Sequence, residues 1–154
     1  MSPQRIATTA RRQAPLLRDD DRLRDAVAKI VEADLPALPV VDANGKLRGI
    51  FGEREFMGAL FPGYLTTLGY AGFIPRSLDE ALHKRANCGD DPVSKYMNTE
   101  HIDVGEDVSD TQLAEIFLHH RVLIVPIVVG NRVSAIVTRA DFFRALAEYV
   151  LKRS

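Results

Sequence analysis

Two stretches of the sequence place side chains that could bind a ligand at the start of a predicted helix. In the stretch IVTRADFF, Thr138 precedes Asp141 by three residues. Asp141, in the first turn, offers two acceptor oxygens that suit the two O–H donors of a vicinal diol. Thr138 can cap the same helix and meet a ligand oxygen, and the free N–H groups there, with Arg139 beside them, favour phosphate.

The same residues also have a purely structural interpretation. Thr138 would be an N-cap, and Asp141 would be a first-turn acid that the helix dipole favours. The stretch IFGEREFM repeats the pattern with Gly52 and Glu55. Because Gly52 has no hydroxyl and Glu55 is one methylene longer, this second site is expected to bind weakly, differently or not at all.

Both stretches belong to an internal repeat, which is found when the chain is laid over itself. Pro39 falls on Pro126, an offset of 87 residues, and LPALPVVDANGKLRGIFGEREF then aligns with VLIVPIVVGNRVSAIVTRADF after one deletion in the turn. Each copy predicts a short extended segment, an amphipathic helix, a two-stranded hairpin and a second helix. The chain is therefore expected to contain two β-α-β-β-α units.

The predicted elements lie at matching places in the two copies. Acidic side chains are predicted to begin the first helices, at Asp19–Asp21 and at Glu106, Asp107 and Asp110. The extended segments, strands and second helices are predicted at 15–17, 38–41, 47–51 and 53–60, and at 102–104, 124–129, 133–137 and 139–151. One unit of roughly 50 residues has too little core to be stable alone, so the two should pack as one domain.

The repeat resembles the CBS domain pair, or Bateman module, in LPVVD and VPIVV before the hairpin and IVTRADFF after it. The resemblance covers about residues 10–60 and 95–150. It implies an α+β fold in which tandem β-α-β-β-α repeats pack as a pseudo-twofold pair. The implied module spans 1–154, with repeat 1 at about 10–61, a helical insert at about 62–94 and repeat 2 at about 95–151.

The resemblance also implies a non-catalytic regulatory module that needs no cofactor. Such a module binds an adenosine-type ligand (AMP, ADP, ATP or S-adenosylmethionine) in a cleft between the repeats. The implied site combines Thr138, Arg139 and Asp141 with an adenine slot near Ala10, Gln13, Pro15, Leu35 and Pro36. The second, weaker cleft would have Gly52, Glu55, Met97, Glu100, Ile102, Val122 and Leu123. Ala135 replaces a usual family glycine, which narrows the approach of a ligand.

Composition argues against several other functions. The net charge of −1 gives no broad basic field for nucleic acid, and no apolar run approaches the ~20 residues of a membrane span. The single cysteine, Cys88, cannot form an internal disulfide and is expected in a polar loop, which fits a cytoplasmic protein. The histidines lack the spacing of a metal site.

Several features remain open from the sequence. The stretch TTARRQ (8–13) is either a frayed arm or a phosphate contact. The insert is either a helical excursion over the edge of the module, with a short helix starting at Ser77, or a lid, a subunit interface or a partner interface. The resemblance favours a homodimer that signals to a separate protein effector. The alternative is a ligand-free dimeric scaffold or protein-interaction module.

Overall fold

A computed structural model describes residues 5–61 and 78–152 of the chain. It contains six α-helices and seven short strands in the described ranges. In chain order they are α1 Arg5–Thr9, β1 Arg11–Arg12, β2 Leu17–Arg18, α2 Leu23–Ala33, β3 Ala37–Val41, β4 Leu47–Gly52, α3 Glu53–Leu60, α4 Leu78–Lys84, β5 Val104–Gly105, α5 Asp110–His119, β6 Ile124–Val129, β7 Arg132–Thr138 and α6 Arg139–Lys152.

The two repeats have the predicted β-α-β-β-α order. In the first, β2 pairs in parallel with β3, and β3 pairs antiparallel with β4. In the second, β5, β6 and β7 repeat that arrangement. Both hairpins turn through a glycine with positive φ, Gly45 at 83° and Gly130 at 64°, which suits a residue without Cβ. The predicted α+β fold of tandem repeats is therefore confirmed.

The repeats are joined through a small apolar cluster that takes residues from both sheets. Ala37 and Ile50 of the first repeat pack with Ile124 and Ile136 of the second, and all four are buried. Burial of an isoleucine side chain contributes about 1.5–3 kcal/mol, so this cluster favours the paired arrangement. The hairpin tips add a backbone hydrogen bond of 3.0 Å from the Leu47 N–H to the Asn131 carbonyl.

The first helices of the repeats begin differently from each other. Helix α2 has Arg22 at its N-cap, with no side-chain cap, and the Asp21 carboxylate accepts the Arg18 N–H instead. The prediction that Asp19–Asp21 begin α2 is therefore wrong, because the Asp21 carboxylate binds an N–H of the preceding turn and not one of the helix. Helix α5 is capped by Ser109, which accepts the Gln112 N–H at 3.1 Å. The S-x-x-Q pattern at 109–112 is the sequence signal for this capping box, and the prediction from acidic side chains does not contain it.

The described end of the insert packs against the first repeat. The short helix predicted from Ser77 is observed as α4, while residues 62–77 lie outside the described residues. Cys88 is buried in the first-repeat core, so the prediction of a polar loop is wrong there. Arg85 donates to the Ala59 carbonyl at 3.1 Å, which ties the insert to the end of α3. No helix in the described ranges is long and apolar enough to cross a membrane.

Candidate functional site

Thr138 stands at the junction where β7 becomes α6. The residue is 3% exposed, and its Oγ1 accepts the Asp141 N–H at 2.9 Å. The Arg139 N–H donates to the Leu123 carbonyl at 3.0 Å, so two of the free N–H groups at this helix start have partners. Thr138 is thus an N-cap, and this cap fixes where the Asp141 side chain leaves the helix.

Asp141 is held by an arginine from the opposite end of the chain. Arg12 Nε lies 2.6 Å from Asp141 Oδ2, and Arg12 Nη2 lies 2.8 Å from Oδ1. Arg144 Nη1 adds a contact of 3.3 Å to Oδ1. The Asp141 side chain is only 12% exposed, whereas that of Arg12 is 42% exposed. The result is a two-pronged guanidinium–carboxylate pair at the rim of a cleft, a geometry that is among the stronger charged contacts.

The electrostatics of this pair keep Asp141 ionised. Burial opposes ionisation, but hydrogen bonds from Arg12 and Thr138, with the charges of Arg12 and Arg144, outweigh it. The pKa of Asp141 is therefore lowered from its ordinary value of 3.8. At neutral pH the carboxylate can only accept hydrogen bonds, which is what a sugar diol would require.

The segment that carries Arg12 is ordered by contacts with the second repeat. Strand β1 pairs antiparallel with β7, with Arg11 opposite Val137 and Arg12 opposite Ile136. The Ala7 N–H at the start of α1 donates to Asp110 Oδ1 at 2.6 Å. The interpretation of residues 8–13 as a frayed arm is therefore wrong. No local pattern identifies the Arg12–Asp141 pair, because the two residues lie 129 positions apart.

A cavity of about 270 Å³ opens beside this ion pair. Residues of α1, β1 and α6 line it, and they bring three arginines and two carboxylates together. The lining consists of Thr9, Ala10, Arg11, Arg12, Asp141, Arg144, Ala145 and Glu148. The size is close to the lower end of small-molecule sites, so the cavity could hold part of a nucleotide.

The other residues expected in the adenine slot are distributed over a wider region. Ala10 is buried and lines the cavity, but Gln13 is exposed and donates to the Ser134 carbonyl at 3.0 Å. Pro15 is exposed, and Leu35 packs on the cluster between the repeats. The Pro36 carbonyl accepts the Glu53 N–H at 2.9 Å, at the start of α3. Of this group, only Ala10 shares the cavity with Asp141.

Arg139 points away from the helix start that it was expected to serve. Its Nη2 donates to the carbonyls of Phe117 at 2.8 Å and His120 at 3.1 Å. Its guanidinium also lies 5.7 Å from the centre of the Phe117 ring. The expected phosphate contact by Arg139 is therefore not what the structure shows: its cation caps the end of α5, and the arginines beside Asp141 are Arg12 and Arg144.

The matching helix start in the first repeat is built differently. A Cβ on Gly52 would collide with the Ala37 side chain and with the Pro36 carbonyl. Glu55 folds back, and its Oε1 accepts the Gly52 N–H at 2.9 Å. Burial raises the pKa of Glu55 from its ordinary value of 4.5, although the Gly52 and Glu55 N–H groups partly offset this effect. The Glu55 carboxylate therefore caps the start of its own helix.

The edge of β4 is covered at Ile50 by Asn98, as the edge of β7 is covered by β1. Ile50 and Asn98 exchange two backbone hydrogen bonds of 3.0 and 2.8 Å, so Asn98 stands where Arg12 stands in the other half. Met97 is half-buried, and the exposed Glu100 donates its N–H to Asn98 Oδ1. The remaining residues expected in this cleft are half-buried: Ile102, Val122 and Leu123.

Leu123 makes its backbone contact at α6, and Pro36 makes its contact at α3. Each backbone carbonyl therefore accepts a hydrogen bond at the helix start of its own repeat. The placement of the two side chains in the ligand clefts stays a prediction. In the part of the chain that the structure describes, no cluster of three or more His, Cys, Asp or Glu side chains could hold a metal ion.

Comparison with known proteins agrees with the fold described above. The family model described as CBS domain matches residues 6–62 and 93–148. A search of curated proteins finds no match. The fold is similar to a CBS-domain containing protein from Agrobacterium tumefaciens (TM-score 0.66, 22% identity, 92% of this chain and 89% of the other). It is also similar to a CBS domain-containing protein from Kribbella flavida, with a TM-score of 0.66 and 22% identity. That match covers 96% of this chain and 99% of the other.

A third similar structure is CBSX2, determined in complex with AMP. Its TM-score is 0.64 at 19% identity, and the match covers 97% of this chain and 93% of the other. At this level of identity, the likeness to these structures establishes the fold alone.

Proposed function

We propose, from the premise that this chain belongs to the CBS domain family, that it is a regulatory module which binds an adenosine-type ligand beside Asp141. The ligand would be AMP, ADP, ATP or S-adenosylmethionine. The observation that carries the proposal is the carboxylate of Asp141, which is ionised, 12% exposed and positioned by the Thr138 cap at a cavity. A ribose diol is a suitable partner for such a carboxylate.

Two further observations support the proposal. Arg11, Arg12 and Arg144 all line the cavity, so a phosphate group would find positive charge there. A protein with the same fold has been determined with AMP. The pseudo-twofold counterpart at Gly52 and Glu55 lacks the hydroxyl and has Asn98 at the position that matches Arg12, so the proposal assigns the principal site to the second repeat.

We further propose that the module acts without catalysis, as a homodimer whose arrangement shifts when the ligand binds one arrangement more tightly. Helix α6 presents an apolar stripe of Phe143, Leu146 and Val150, which are 69%, 39% and 66% exposed and lie at helical spacing. Sedimentation analysis tests this: Phe143→Asp should yield monomers, whereas the matched control Val129→Asp should not. An unchanged dimer in the Phe143 variant would refute this surface.

The alternative is a dimeric scaffold or protein-interaction module that binds no nucleotide. The observation that favours it is the ion pair itself, because Arg12 already satisfies both oxygens of Asp141. In that case the pair would only fasten the segment 5–12 to the second repeat.

Thermal unfolding with added ligands separates these two functions. A ligand at 100 times its Kd stabilises the folded state by about 2.7 kcal/mol, which is about 5–10 °C for a chain of this size. AMP, ADP, ATP and S-adenosylmethionine should be compared on the wild type, on Asp141→Ala and on Asp20→Ala, which removes an exposed acid that does not line the cavity. A shift in melting temperature that is abolished by Asp141→Ala and not by Asp20→Ala supports the ligand-binding regulatory module. No shift with any ligand supports the scaffold.

A further inference from the structure

The contact between Arg12 and Asp141 uses the atoms that a sugar would need. A vicinal diol would donate to the same two carboxylate oxygens that Arg12 engages at 2.6 and 2.8 Å. Asp141 is only 12% exposed, so little of the carboxylate is left for an additional bidentate partner. A ligand that binds here through its ribose must therefore displace the guanidinium.

Arg12 can leave Asp141 without disruption of the fold around it. The backbone of Arg12 is fixed by its pairing with Ile136, and α1 is fixed by the Ala7 contact with Asp110. The Arg12 side chain is 42% exposed, and its guanidinium lies at the end of a flexible aliphatic stem. Only the side-chain torsions therefore need to change. The guanidinium would then remain within the same cavity, because its Cα stays in place.

The displaced cation would require a new partner. Hydroxyl groups of a ribose replace the hydrogen bonds that Asp141 loses, but they do not replace the negative charge that Arg12 loses. Arg11, Arg144 and Glu148 also line the cavity, so Arg12 would lose its ion-pair partner in a lining that holds three arginines and two carboxylates. A phosphate group restores the balance, since it gives the guanidinium a second anionic acceptor of matching geometry.

We propose that Arg12 is a specificity-determining latch, which exchanges the Asp141 carboxylate for the phosphate of the ligand when the ribose binds. This inference rests on the proposed function and narrows it. The site should prefer adenosine nucleotides over adenosine, and it should disfavour S-adenosylmethionine, which brings a sulfonium cation in place of a phosphate to a cavity lined by three arginines and two carboxylates. The ion pair that appeared to favour a scaffold becomes the element that selects the ligand.

The first repeat lacks the parts of this device. Asn98 stands at the position that matches Arg12, and it carries no charge. Glu55 is engaged by the N–H of Gly52 at 2.9 Å, which is a contact within its own helix start. The latch is therefore a property of the second-repeat helix start, and its test can be confined to that end of the molecule.

Calorimetric titration with AMP, adenosine and S-adenosylmethionine tests the exchange. The proteins compared should be the wild type, Arg12→Met, Arg12→Lys and the control Arg18→Met, which removes an exposed arginine that pairs with Asp20 at 3.5 Å. In Arg12→Met, adenosine should bind about tenfold more tightly, because no ion pair must be broken. The preference for AMP over adenosine should fall about tenfold or more. Arg12→Lys should be intermediate, and Arg18→Met should match the wild type.

Each outcome decides the inference. If AMP binds and its preference over adenosine is the same in Arg12→Met, the latch is refuted while the proposed function stands. If adenosine binds Arg12→Met but not the wild type, the latch is supported, because the contact between Arg12 and Asp141 then excludes a ligand without phosphate. If the wild type, Arg12→Met and Arg12→Lys bind neither AMP nor adenosine, the latch is refuted, and the proposed function is refuted as well when ADP, ATP and S-adenosylmethionine also fail to bind.

Discussion

The starts of α3 and α6 share a backbone plan and differ in almost every side chain. In both, the first helical N–H donates to the carbonyl that precedes the hairpin, Pro36 in one and Leu123 in the other. At α6 a hydroxyl caps the helix and an ionised acid faces an arginine. At α3 a glycine stands in place of the hydroxyl, and the acid turns back on its own backbone. Repetition of a fold therefore does not repeat a site.

The comparison also shows that the missing hydroxyl is part of the packing. The space that a side chain at position 52 would need is filled by Ala37 and by the Pro36 carbonyl. Thr138 carries its Cβ at the matching place and is buried there. A change of one residue in the first repeat would therefore not restore a Thr-x-x-Asp motif with the geometry of the second.

The largest expected effect tests this packing. Gly52→Ala adds a Cβ that collides with backbone and side-chain atoms, so it should lower the free energy of unfolding by about 2–3 kcal/mol. The backbone at Gly52 is extended, with φ at −157°, so conformational strain is not the cause. Gly89→Ala is the matched control, because its Cβ would meet Arg24 at an ordinary 3.4 Å. Urea denaturation of both variants measures the free energy of unfolding. Equal losses of stability in the two variants would contradict the steric explanation.

An intermediate effect is expected from the acid of α6. Asp141→Asn removes the charge that Arg12 and Arg144 engage, and it should cost about 1–2 kcal/mol at pH 7, since part of the pair is exposed to water. The folded-state pKa of Asp141 is lowered, so its contribution is present above the ordinary value of 3.8 and is lost as pH falls through the folded pKa. In thermal melts from pH 7 to pH 3, the difference in stability between the wild type and Asp141→Asn should decrease. A difference that does not change with pH would contradict the ion pair.

The smallest effect, of opposite sign, is expected from the acid of α3. The pKa of Glu55 is raised by burial, so its ionised form costs stability, and this cost grows as pH rises above the ordinary value of 4.5. Glu55→Gln keeps an oxygen for the Gly52 N–H and should raise stability by up to about 1 kcal/mol at pH 7. The gain should vanish below pH 4.5 in the same melts. Destabilisation at pH 7 would show that the carboxylate charge supports this helix start.

The sequence predicts the parts of this molecule that depend on local patterns. Hydrophobic periodicity and turn glycines such as Gly45 and Gly130 give the order of both repeats, because these signals lie within a few residues of their effects. The role of Thr138 as a cap follows for the same reason. The Asp19–Asp21 error has a similar origin, since several acids near a helix start satisfy the same pattern.

The rest depends on contacts between distant parts of the chain. Strand β1 has two residues and is stabilised by β7, so its own sequence gives no signal. The pairing of Arg12 with Asp141 and the redirection of Arg139 onto the end of α5 are consequences of tertiary packing. A local role such as the Thr138 cap is therefore easier to predict than a long-range contact such as that of Arg12 with Asp141.

The position of residues 5–12 has a consequence for the order in which the molecule assembles. Arg11 and Arg12 of this segment form the edge strand of a sheet whose other strands come from the second repeat. A ribosome releases them long before β7 exists, and closure of so large a loop is entropically slow. The first repeat can therefore complete its own sheet early, whereas Ala7 and Ala10, both buried in the second-repeat core, must wait for the last strand to be synthesised.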